Sequence, residues 1–552
     1  MDLVLVGLPG SGKSVVGRRV ASRHGAAFVD LDERIEAEAG RSVAEIFAAE
    51  GEAGFRRRER AAVLALGPAD CGAALARVIS PGGGAIVDPR NRWSLFRGRA
   101  VAWLDVRPEV LAQRLRNSPT VRPLVQGPDA LGRIRALAAA RARFYGAATR
   151  INGVAEVGGV VSAVERVIAA GIPASTTLLR ARTAIGEVVV GEGIAADAIA
   201  QTLRDLHGRR AVIVSEPGAW EAFGAGVAEA LRADDWPVEV VMLPAGEAAK
   251  RISVIENAAR ELARRRVERG DPLIAIGGGA LGDPAGFLAA AYLRGVPWIQ
   301  VPTTLVAQVD SSLGGKTGVD LPEGKNLLGA FHQPAAIVLD MAALRTLPER
   351  QTRSALGEIV KMAALGDEAL FAMLEADGDA IARGEAWAFE GGAMAEAVER
   401  AGWAKVEVVS ADEKEQGATA GRIALNLGHT TAHALEQVDG YENLLHGEAV
   451  AYGLRAAVRI GQAMGVTPPE RAARIEGLLD RLALGSVPLP YPLDAVVAAT
   501  GTDKKNAGGR LRWVLPVADG YVVRDDVSAD AVRAAVAAVL AGRPTGASGV
   551  SA

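Results

Sequence analysis

The residues LVLVGLPGSGKS (3–14) combine an apolar run with a glycine-rich turn and a lysine–serine pair. Followed by SVVGRRVASRHG (14–25), they predict a strand, a loop and a helix. In such a loop, backbone N–H groups around Gly10, Ser11 and Gly12 point at phosphate oxygens. Lys13 would then reach the β- and γ-phosphates, and Ser14 would ligate Mg²⁺. The stretch therefore predicts an ATP-binding P-loop domain built on a parallel α/β sheet.

The chain as a whole has the composition of an ordinary globular protein, with 49% hydrophobic residues, 23% charged residues and a formal net charge of -3. No strongly basic segment predicts a nucleic-acid partner, and no apolar run is long enough to span a membrane. The amino end lacks the basic region of a signal peptide. The single cysteine, Cys71, excludes an intrachain disulfide, is expected to fill the core, and fits a reducing compartment. We expect a cytoplasmic protein.

The length of 552 residues indicates more than one domain. Short β-branched runs alternate with amphipathic helical patterns both before and after the segment GIPASTTLLRARTA (171–184). This pattern favours one parallel α/β domain on each side of the segment. From about residue 355 onward the strand patterns give way to helical ones. The predicted organisation is a P-loop domain at 1–170, a linker at 171–184, an α/β half at 185–355, an all-helical half at 356–542 and a disordered tail at 543–552.

Three of the six histidines, His429, His433 and His446, lie within eighteen residues of one another. A zinc protease would need glutamate directly after the first histidine of the pair, but Thr430 stands there. In ALGEIVK (355–361), Glu358 and Lys361 lie one helical turn apart. Glu358, His429 and His446 could supply three metal ligands and leave one position open, which is typical of a catalytic zinc site.

A second glycine run follows the apolar residues of LIAIGGGALGDPAGF (273–287). Glycines at a strand end permit close approach to a pyrophosphate, although this run is not the GxGxxG pattern. The next segment, PTTLVAQVDSSLGGKTGVDLPEGKN (302–326), places Lys316 and Lys325 beside two tight turns. Together these segments predict a dinucleotide site next to a basic pocket.

The motifs of the first block, FVDLDERI (28–35), FRRRE (55–59), PGGGAIV (81–87), RPLV (122–125) and RARFY (141–145), resemble those of shikimate kinase in the same order. The resemblance implies that Asp32 contacts the shikimate hydroxyls and orients the attacking one. It also implies that the remaining site residues bind the carboxylate, the ring and ATP: Arg56 and Arg141 for the carboxylate, Gly83 and Gly84 for the ring, and Arg122 over ATP. Gluconate and adenylate kinases share the phosphate loop, but they have no strong reason to carry this set of aspartates and arginines, which suits a small carboxylated polyol.

The motifs of the second block resemble those of 3-dehydroquinate synthase across roughly residues 185 to 540. The resemblance implies zinc, or cobalt, on Glu358, His429 and His446. It implies NAD⁺ contacts from Glu247, Lys250, Gly279 to Asp283, Thr303, Thr304, Lys316, Lys325 and Thr346. It implies substrate contacts from Asp310, Lys316, Asn326, Lys361, Lys405, Arg422, Asn426, His433 and one of Lys504 or Lys505. Because the family is dimeric, Arg294 would reach the partner's site.

The implied reaction oxidises DAHP, a seven-carbon ketose acid phosphate, at one hydroxyl with NAD⁺, expels phosphate, reduces the ketone again and closes the ring. His433, Lys316 and Lys361 would relay protons or stabilise oxyanions. Iron-dependent alcohol and glycerol dehydrogenases share the glycine run and histidine ligands, but would not be expected to carry the phosphate-binding lysines. Other sugar phosphate cyclases, or a kinase block with only a regulatory role, are the alternatives; an intact Lys13 and Asp32 speak against the latter.

Overall fold

The computed structural model describes residues 1–116, 129–413, 421–501 and 511–542. The chain divides into two compact units, residues 1–182 with 187–198 and residues 183–186 with 199–552. The first unit contains β1 (Asp2–Val6), α1 (Lys13–His24), β2 (Ala27–Asp30), α2 (Leu31–Ala39), α3 (Val43–Leu64), β3 (Arg77–Ser80), α4 (Pro89–Phe96), β4 (Ala100–Asp105), α5 (Pro108–Arg116), α6 (Ala130–Tyr145), β5 (Thr149–Asn152), α7 (Val157–Ala170), β6 (Thr176–Thr183) and β7 (Gly186–Glu192).

The kinase-like part of this unit is a parallel five-stranded sheet in the order β2-β3-β1-β4-β5. Every residue of β1 is buried, as its apolar sequence predicts, and Leu3 and Leu5 pack with Val20 of α1 and Val161 of α7. The loop between β1 and α1 needs glycine at Gly10 and Gly12, where φ is +83° and +97°. The predicted strand, phosphate loop and helix are therefore all present.

The α/β half of the second unit follows with α8 (Ala195–Asp205), β8 (Ala211–Ser215), α9 (Pro217–Ala219), α10 (Ala225–Ala233), β9 (Val238–Met242), α11 (Ile252–Arg264), β10 (Leu273–Gly277), α12 (Gly279–Ala291), β11 (Trp298–Pro302), β12 (Lys316–Leu321), β13 (Gly324–Phe331) and β14 (Ala336–Asp340). Parallel strands lie in the order β14-β11-β10-β8-β9, and β12 and β13 form an antiparallel hairpin. Leu273 of β10, Ile255 of α11 and Leu281 of α12 share its core.

The helical half contains α13 (Glu349–Ala364), α14 (Glu368–Ala382), α15 (Ala386–Glu390), α16 (Ala393–Ala411), α17 (His429–Asp439), α18 (His446–Ala463), α19 (Pro469–Arg481), α20 (Leu493–Thr500), β15 (Trp513–Pro516), β16 (Tyr521–Arg524) and α21 (Ala529–Leu540). The helical patterns expected after residue 355 are present, and Glu358, His429 and His446 lie on α13, α17 and α18. The antiparallel pair β15 and β16 was not predicted, so this half is mainly rather than wholly helical.

Two further sequence expectations are wrong. The stretch predicted as a linker, 171–184, contains strand β6, whose Leu178 and Leu179 are buried; the small residues around it concealed an apolar pair. Cys71 is exposed rather than part of the core, because it lies in the loop between α3 and β3. The predicted disordered tail lies outside the described residues. Within the described ranges, no helix combines the length and apolarity needed to cross a membrane.

Candidate active sites

In the phosphate loop, the side chain of Lys13 folds back onto the backbone of the loop itself. Lys13 Nζ donates to the backbone oxygens of Gly7 at 2.9 Å and Leu8 at 3.4 Å. Ser14 Oγ donates to Asp30 at 2.7 Å, and the other oxygen of Asp30 accepts from the backbone N–H of Asp32. Asp30 therefore ends β2, caps α2 and faces the predicted Mg²⁺ ligand. A hydroxyl beside a carboxylate is an oxygen set that suits Mg²⁺.

The triple-glycine turn (82–84) joins this loop to the predicted acceptor residues. A Cβ on its first, second and third glycine would lie 2.6 Å from Asp32, 2.9 Å from Pro9 and 2.7 Å from the Arg56 guanidinium, respectively. The rigid ring of Pro9 leaves no room for a side chain at the second glycine, whereas a side chain at the first or third would displace the Asp32 carboxylate or the Arg56 guanidinium. Arg141 Nη1 donates to the oxygen of Gly83 at 2.7 Å. The structure thus brings Asp32, Arg56, Arg141 and the turn together beside the phosphate loop.

Glu59 belongs to this site and was missed in the sequence. Its side chain is 1% exposed and accepts from Arg56 at 2.7 Å, while the exposed Glu52 pairs with the same guanidinium at 3.0 Å. Burial raises the pKa of Glu59 against the lowering effect of Arg56. The i, i+3 spacing of Arg56 and Glu59 on α3 was the available signal. The predicted ATP residue Arg122 lies outside the described residues.

Three helices of the second unit converge on the predicted metal ligands. Glu358 comes from α13, His429 begins α17 and His446 begins α18. His446 Nε2 lies 3.0 Å and His429 Nε2 3.3 Å from Glu358 Oε1. One ligand atom from each residue falls within 4.8 Å of the others. Two imidazole nitrogens and one carboxylate around a common point form a donor set suited to zinc or cobalt.

The second nitrogen of each ligand ring has its own partner. His446 Nδ1 lies 3.0 Å from Glu436, and His429 Nδ1 lies 3.2 Å from the backbone oxygen of Leu427. Such contacts fix the ring orientation so that Nε2 points into the site. Burial favours the neutral form of His446, but its bonds to Glu358 and Glu436 outweigh this and raise the pKa of His446 to about 10. Burial and then Lys361 lower the pKa of His429.

A chain of alternating charges leads away from the ligands. Lys361 contacts Glu358 and lies 3.7 Å from Asp310, which accepts from Lys405 at 2.5 Å. Burial lowers the pKa of Lys405 although Asp310 opposes this, whereas Glu358 and Asp310 overcome burial and raise the pKa of Lys361. Buried ion pairs rarely add stability, because desolvation offsets their attraction. This chain of charges therefore indicates a functional site.

The predicted dinucleotide residues meet at the carboxyl ends of β10 and β11. Gly279 begins α12, and a Cβ there would lie 2.8 Å from Ser311 Oγ. Thr303 N–H donates to the oxygen of Gly277 at 3.0 Å, which joins the two strand ends. A helix amino end reached through glycines is a good site for a pyrophosphate.

Basic residues surround this helix end. Lys250 donates to Asp283 at 2.8 Å and to Asn326 at 3.3 Å, and Lys325 lies 3.2 Å from Glu247. The structure therefore brings together five of the predicted NAD⁺ and substrate residues from three separate segments of the chain.

The remaining predicted residues fall into three groups. Arg422 is buried and donates to the oxygens of Gly314 at 3.3 Å and Glu413 at 2.7 Å, and the His433 ring lies 5.4 Å from that of His429. More exposed or peripheral positions are held by Lys316, at the start of β12, Thr346, Asn426, at the end of a 3₁₀ turn, and Arg294. Lys504 and Lys505 lie outside the described residues.

Comparison with known proteins assigns both parts of the chain to known families. Family models match residues 9–157 (shikimate kinase), 240–354 (3-dehydroquinate synthase N-terminal) and 355–506 (3-dehydroquinate synthase C-terminal). A 3-dehydroquinate synthase of Jannaschia sp. is 41% identical over 372 residues, which are 65% of this chain and 96% of that protein. The corresponding protein of Symbiobacterium thermophilum is 41% identical over 351 residues, 63% of this chain and 95% of that protein.

Among solved structures, the 2-epi-5-epi-valiolone synthase of Streptomyces hygroscopicus subsp. jinggangensis, with NAD⁺ and Zn²⁺ bound, is 28% identical with a TM-score of 0.58. The alignment covers 64% of this chain and 96% of that one. Fold and sites define a two-part enzyme, a P-loop kinase joined to a dinucleotide-fold synthase. The chain belongs to the 3-dehydroquinate synthase family and carries a shikimate kinase domain at its amino end. The predicted resemblance and fold class are confirmed.

Proposed function

We propose that the chain is a bifunctional enzyme of the shikimate pathway. Its first site transfers a phosphoryl group from ATP to shikimate, and its second site converts DAHP to 3-dehydroquinate with release of phosphate. The observation that carries this proposal is the presence of two separate sets of charged residues. One set surrounds the triple-glycine turn beside the phosphate loop. The other continues from three metal-ligand side chains into a buried lysine and aspartate chain.

At the kinase site, phosphoryl transfer requires positioning and charge neutralisation more than covalent chemistry. Lys13 would leave the loop oxygens it now contacts and bind the transferred phosphate, while Ser14 would hold Mg²⁺ with Asp30 nearby. Arg56 and Arg141 present guanidinium groups of the shape that binds a carboxylate in two places. Asp32 lies against the same turn, where it would accept hydrogen bonds from shikimate hydroxyls and orient the attacking one.

At the synthase site, Glu358, His429 and His446 would hold zinc or cobalt, and the amino end of α12 would receive NAD⁺. When bound, these groups supply polarisation of the reacting hydroxyl and a hydride acceptor. The chain itself supplies positive charge for a substrate with a phosphate and a carboxylate, through Lys361, Lys405 and Arg422. His433, edge-on to the ligand ring of His429, is placed to move a proton.

A second candidate for the synthase site is the cyclisation of another sugar phosphate, because the valiolone synthase shares the fold. The greater identity to 3-dehydroquinate synthases, 41% against 28%, favours DAHP. The purified protein should form 3-dehydroquinate from DAHP and leave sedoheptulose 7-phosphate unchanged. The opposite preference would replace this half of the proposal.

The kinase half is tested separately by following ADP formation with and without shikimate. We expect ADP release to depend on shikimate and to be lost in Lys13→Ala, while conversion of DAHP continues in that variant. ADP formation at the same rate without shikimate would contradict this half of the proposal and favour another acceptor for the phosphoryl group.

We also propose a homodimer formed through the synthase half and a cytoplasmic location. The hairpin strand β13 exposes Leu327, Leu328 and Phe331, which a partner subunit would cover. Leu293 and Arg294 both have left-handed backbone, with φ of 50° and 65°, and such conformations persist where surrounding contacts require them. The single exposed thiol of Cys71 fits a reducing compartment.

A further inference from the structure

The 440–445 loop connects α17 to α18 and ends directly before the ligand His446. Asp439, the last residue of α17, organises this loop with both carboxylate oxygens. Oδ2 accepts the backbone N–H groups of Glu442 at 2.9 Å, Asn443 at 2.7 Å and Leu444 at 3.0 Å. Oδ1 accepts from the Asn443 side chain at 2.9 Å and from the Tyr491 hydroxyl at 2.5 Å. Five donors therefore converge on one side chain.

Asp439 is 8% exposed, so its charge has little water to stabilise it. Burial opposes ionisation, but the hydroxyl of Tyr491 and the loop N–H groups outweigh it and hold the pKa of Asp439 well below its usual range. The loop needs such an anchor, because Gly440 and Tyr441 have consecutive left-handed backbone, with φ of 70° and 62°. That conformation is costly for tyrosine and persists only when surrounding bonds enforce it.

The same loop is tied to the two other helices that carry ligands. Arg350, on the helix of Glu358, donates to the oxygen of Asn443 at 2.6 Å and pairs with Glu448 of α18 at 2.8 Å. Glu448 also accepts the backbone N–H of Leu445 at 3.0 Å. Asp439 itself extends from the helix that begins with His429. The loop therefore links α13, α17 and α18 to one another through hydrogen bonds.

We propose that Asp439, together with Tyr491, is a positioning residue that fixes the 440–445 loop and thereby holds His446 at the metal site. The inference rests on the proposed function only in taking Glu358, His429 and His446 as ligands. The Asp439 carboxylate does not touch the ligands; it fixes the path of the backbone that enters α18. Loss of this anchor lets the loop relax its left-handed residues, and His446 Nε2 then no longer stays near Glu358.

Zinc affinity tests this directly. The full-length protein, stripped of metal, is titrated with Zn²⁺ against a coloured chelator. For Asp439→Asn we expect affinity to fall by about 10- to 100-fold, the usual effect of changing a partner that orients a ligand. Tyr491→Phe should weaken binding in the same direction by about tenfold or less. Excess zinc should return most of the DAHP conversion in both variants, because the substituted groups touch no substrate.

Asp480→Asn is the matched control. Asp480 is another aspartate of the helical half that accepts a short hydrogen bond, from Arg455 at 2.6 Å, a residue within α18 rather than in the 440–445 loop. The Asp480→Asn variant should bind zinc with the same affinity as the unchanged protein. An unaltered zinc affinity in a folded Asp439→Asn protein, judged by thermal unfolding and circular dichroism, overturns the inference. If that variant does not fold, Tyr491→Phe decides by the same criterion. If the unchanged protein binds zinc tightly but does not convert DAHP, the proposed function is rejected and the inference about Asp439 is not affected.

Discussion

Arg56 shows how burial separates two carboxylates that contact the same group. Glu59 and Glu52 both pair with its guanidinium, but the side chain of Glu59 is 1% exposed and that of Glu52 is 59% exposed. A buried carboxylate loses its water and holds the arginine in one place, whereas an exposed pair contributes little. Glu59 therefore sets the position from which Arg56 reaches the proposed carboxylate of shikimate.

We expect Glu59→Gln to raise the KM for shikimate by about tenfold, because a charged hydrogen bond to the guanidinium is worth roughly 1.5–3 kcal/mol. The KM for ATP should stay unchanged. Glu52→Gln is the control and should alter either constant by less than about twofold. Equal effects of the two substitutions in steady-state assays would contradict the role of burial.

At the scale of elements, the amino end of α12 combines a strand end, a glycine and a helix start. The Ser311 hydroxyl stands 2.8 Å from where a Cβ of Gly279 would be, so a side chain at this position would press against the serine. A pyrophosphate at this end would be bound by backbone N–H groups that must remain open.

Gly279→Ala should therefore weaken NAD⁺ binding by at least about tenfold, since the added methyl displaces the turn that approaches the cofactor. Gly226→Ala, in the first turn of α10, is the control: nothing lies within 4 Å of its Cβ, and NAD⁺ binding should not change. Isothermal titration with NAD⁺ measures both. Adding Ser311→Ala to Gly279→Ala should recover part of the affinity, and no loss in the single variant would remove α12 from the cofactor site.

At the scale of the whole molecule, the two sites offer different sets of metal ligands. The kinase site offers oxygen ligands around Ser14, which suit Mg²⁺, whereas the synthase site offers two histidines and one glutamate. The two reactions are not consecutive in the shikimate pathway, so we expect neither site to depend on the other.

Removal of all metals by a chelator, followed by addition of Mg²⁺ alone, should restore shikimate phosphorylation fully and leave conversion of DAHP lost. Zn²⁺ or Co²⁺ should then restore the second activity. Paired assays on one sample measure both outcomes. Full synthase activity in the presence of Mg²⁺ alone would show that the histidine and glutamate cluster is not a catalytic metal site.

The proposed dimer has its own test at this scale. If Arg294 serves the partner's site, Arg294→Ala and Lys361→Ala should each abolish DAHP conversion, and their mixture should regain it. Random exchange of subunits predicts about a quarter of the original activity, since half the dimers would hold one complete site. Sedimentation should show the dimer in each variant. A mixture that remains inactive after proven subunit exchange would place Arg294 outside the partner's site.

Local patterns in the sequence determined much of this protein. The phosphate loop, the helices of Glu358 and His429, and the order of motifs that indicates both families are all visible without coordinates, because short-range spacing decides them. Expectations failed at short strands, whose sequence patterns are weak. The sequence predicts a linker where strand β6 lies and a wholly helical half where β15 and β16 form a hairpin, because pairing with the next strand in the chain stabilises short strands with weak patterns.

Only the tertiary structure decided which charged residues meet. Glu59 differs from Glu52 by its burial, and Asp439 accepts a hydrogen bond from Tyr491, far along the chain, in addition to those of its own loop; the sequence around each residue shows neither property. The sequence itself determined the two families and predicted the three proposed metal ligands, because those depend on residue type and spacing. The fold determined the positions of the side chains that support them, because burial and hydrogen bonding depend on segments brought together from far apart.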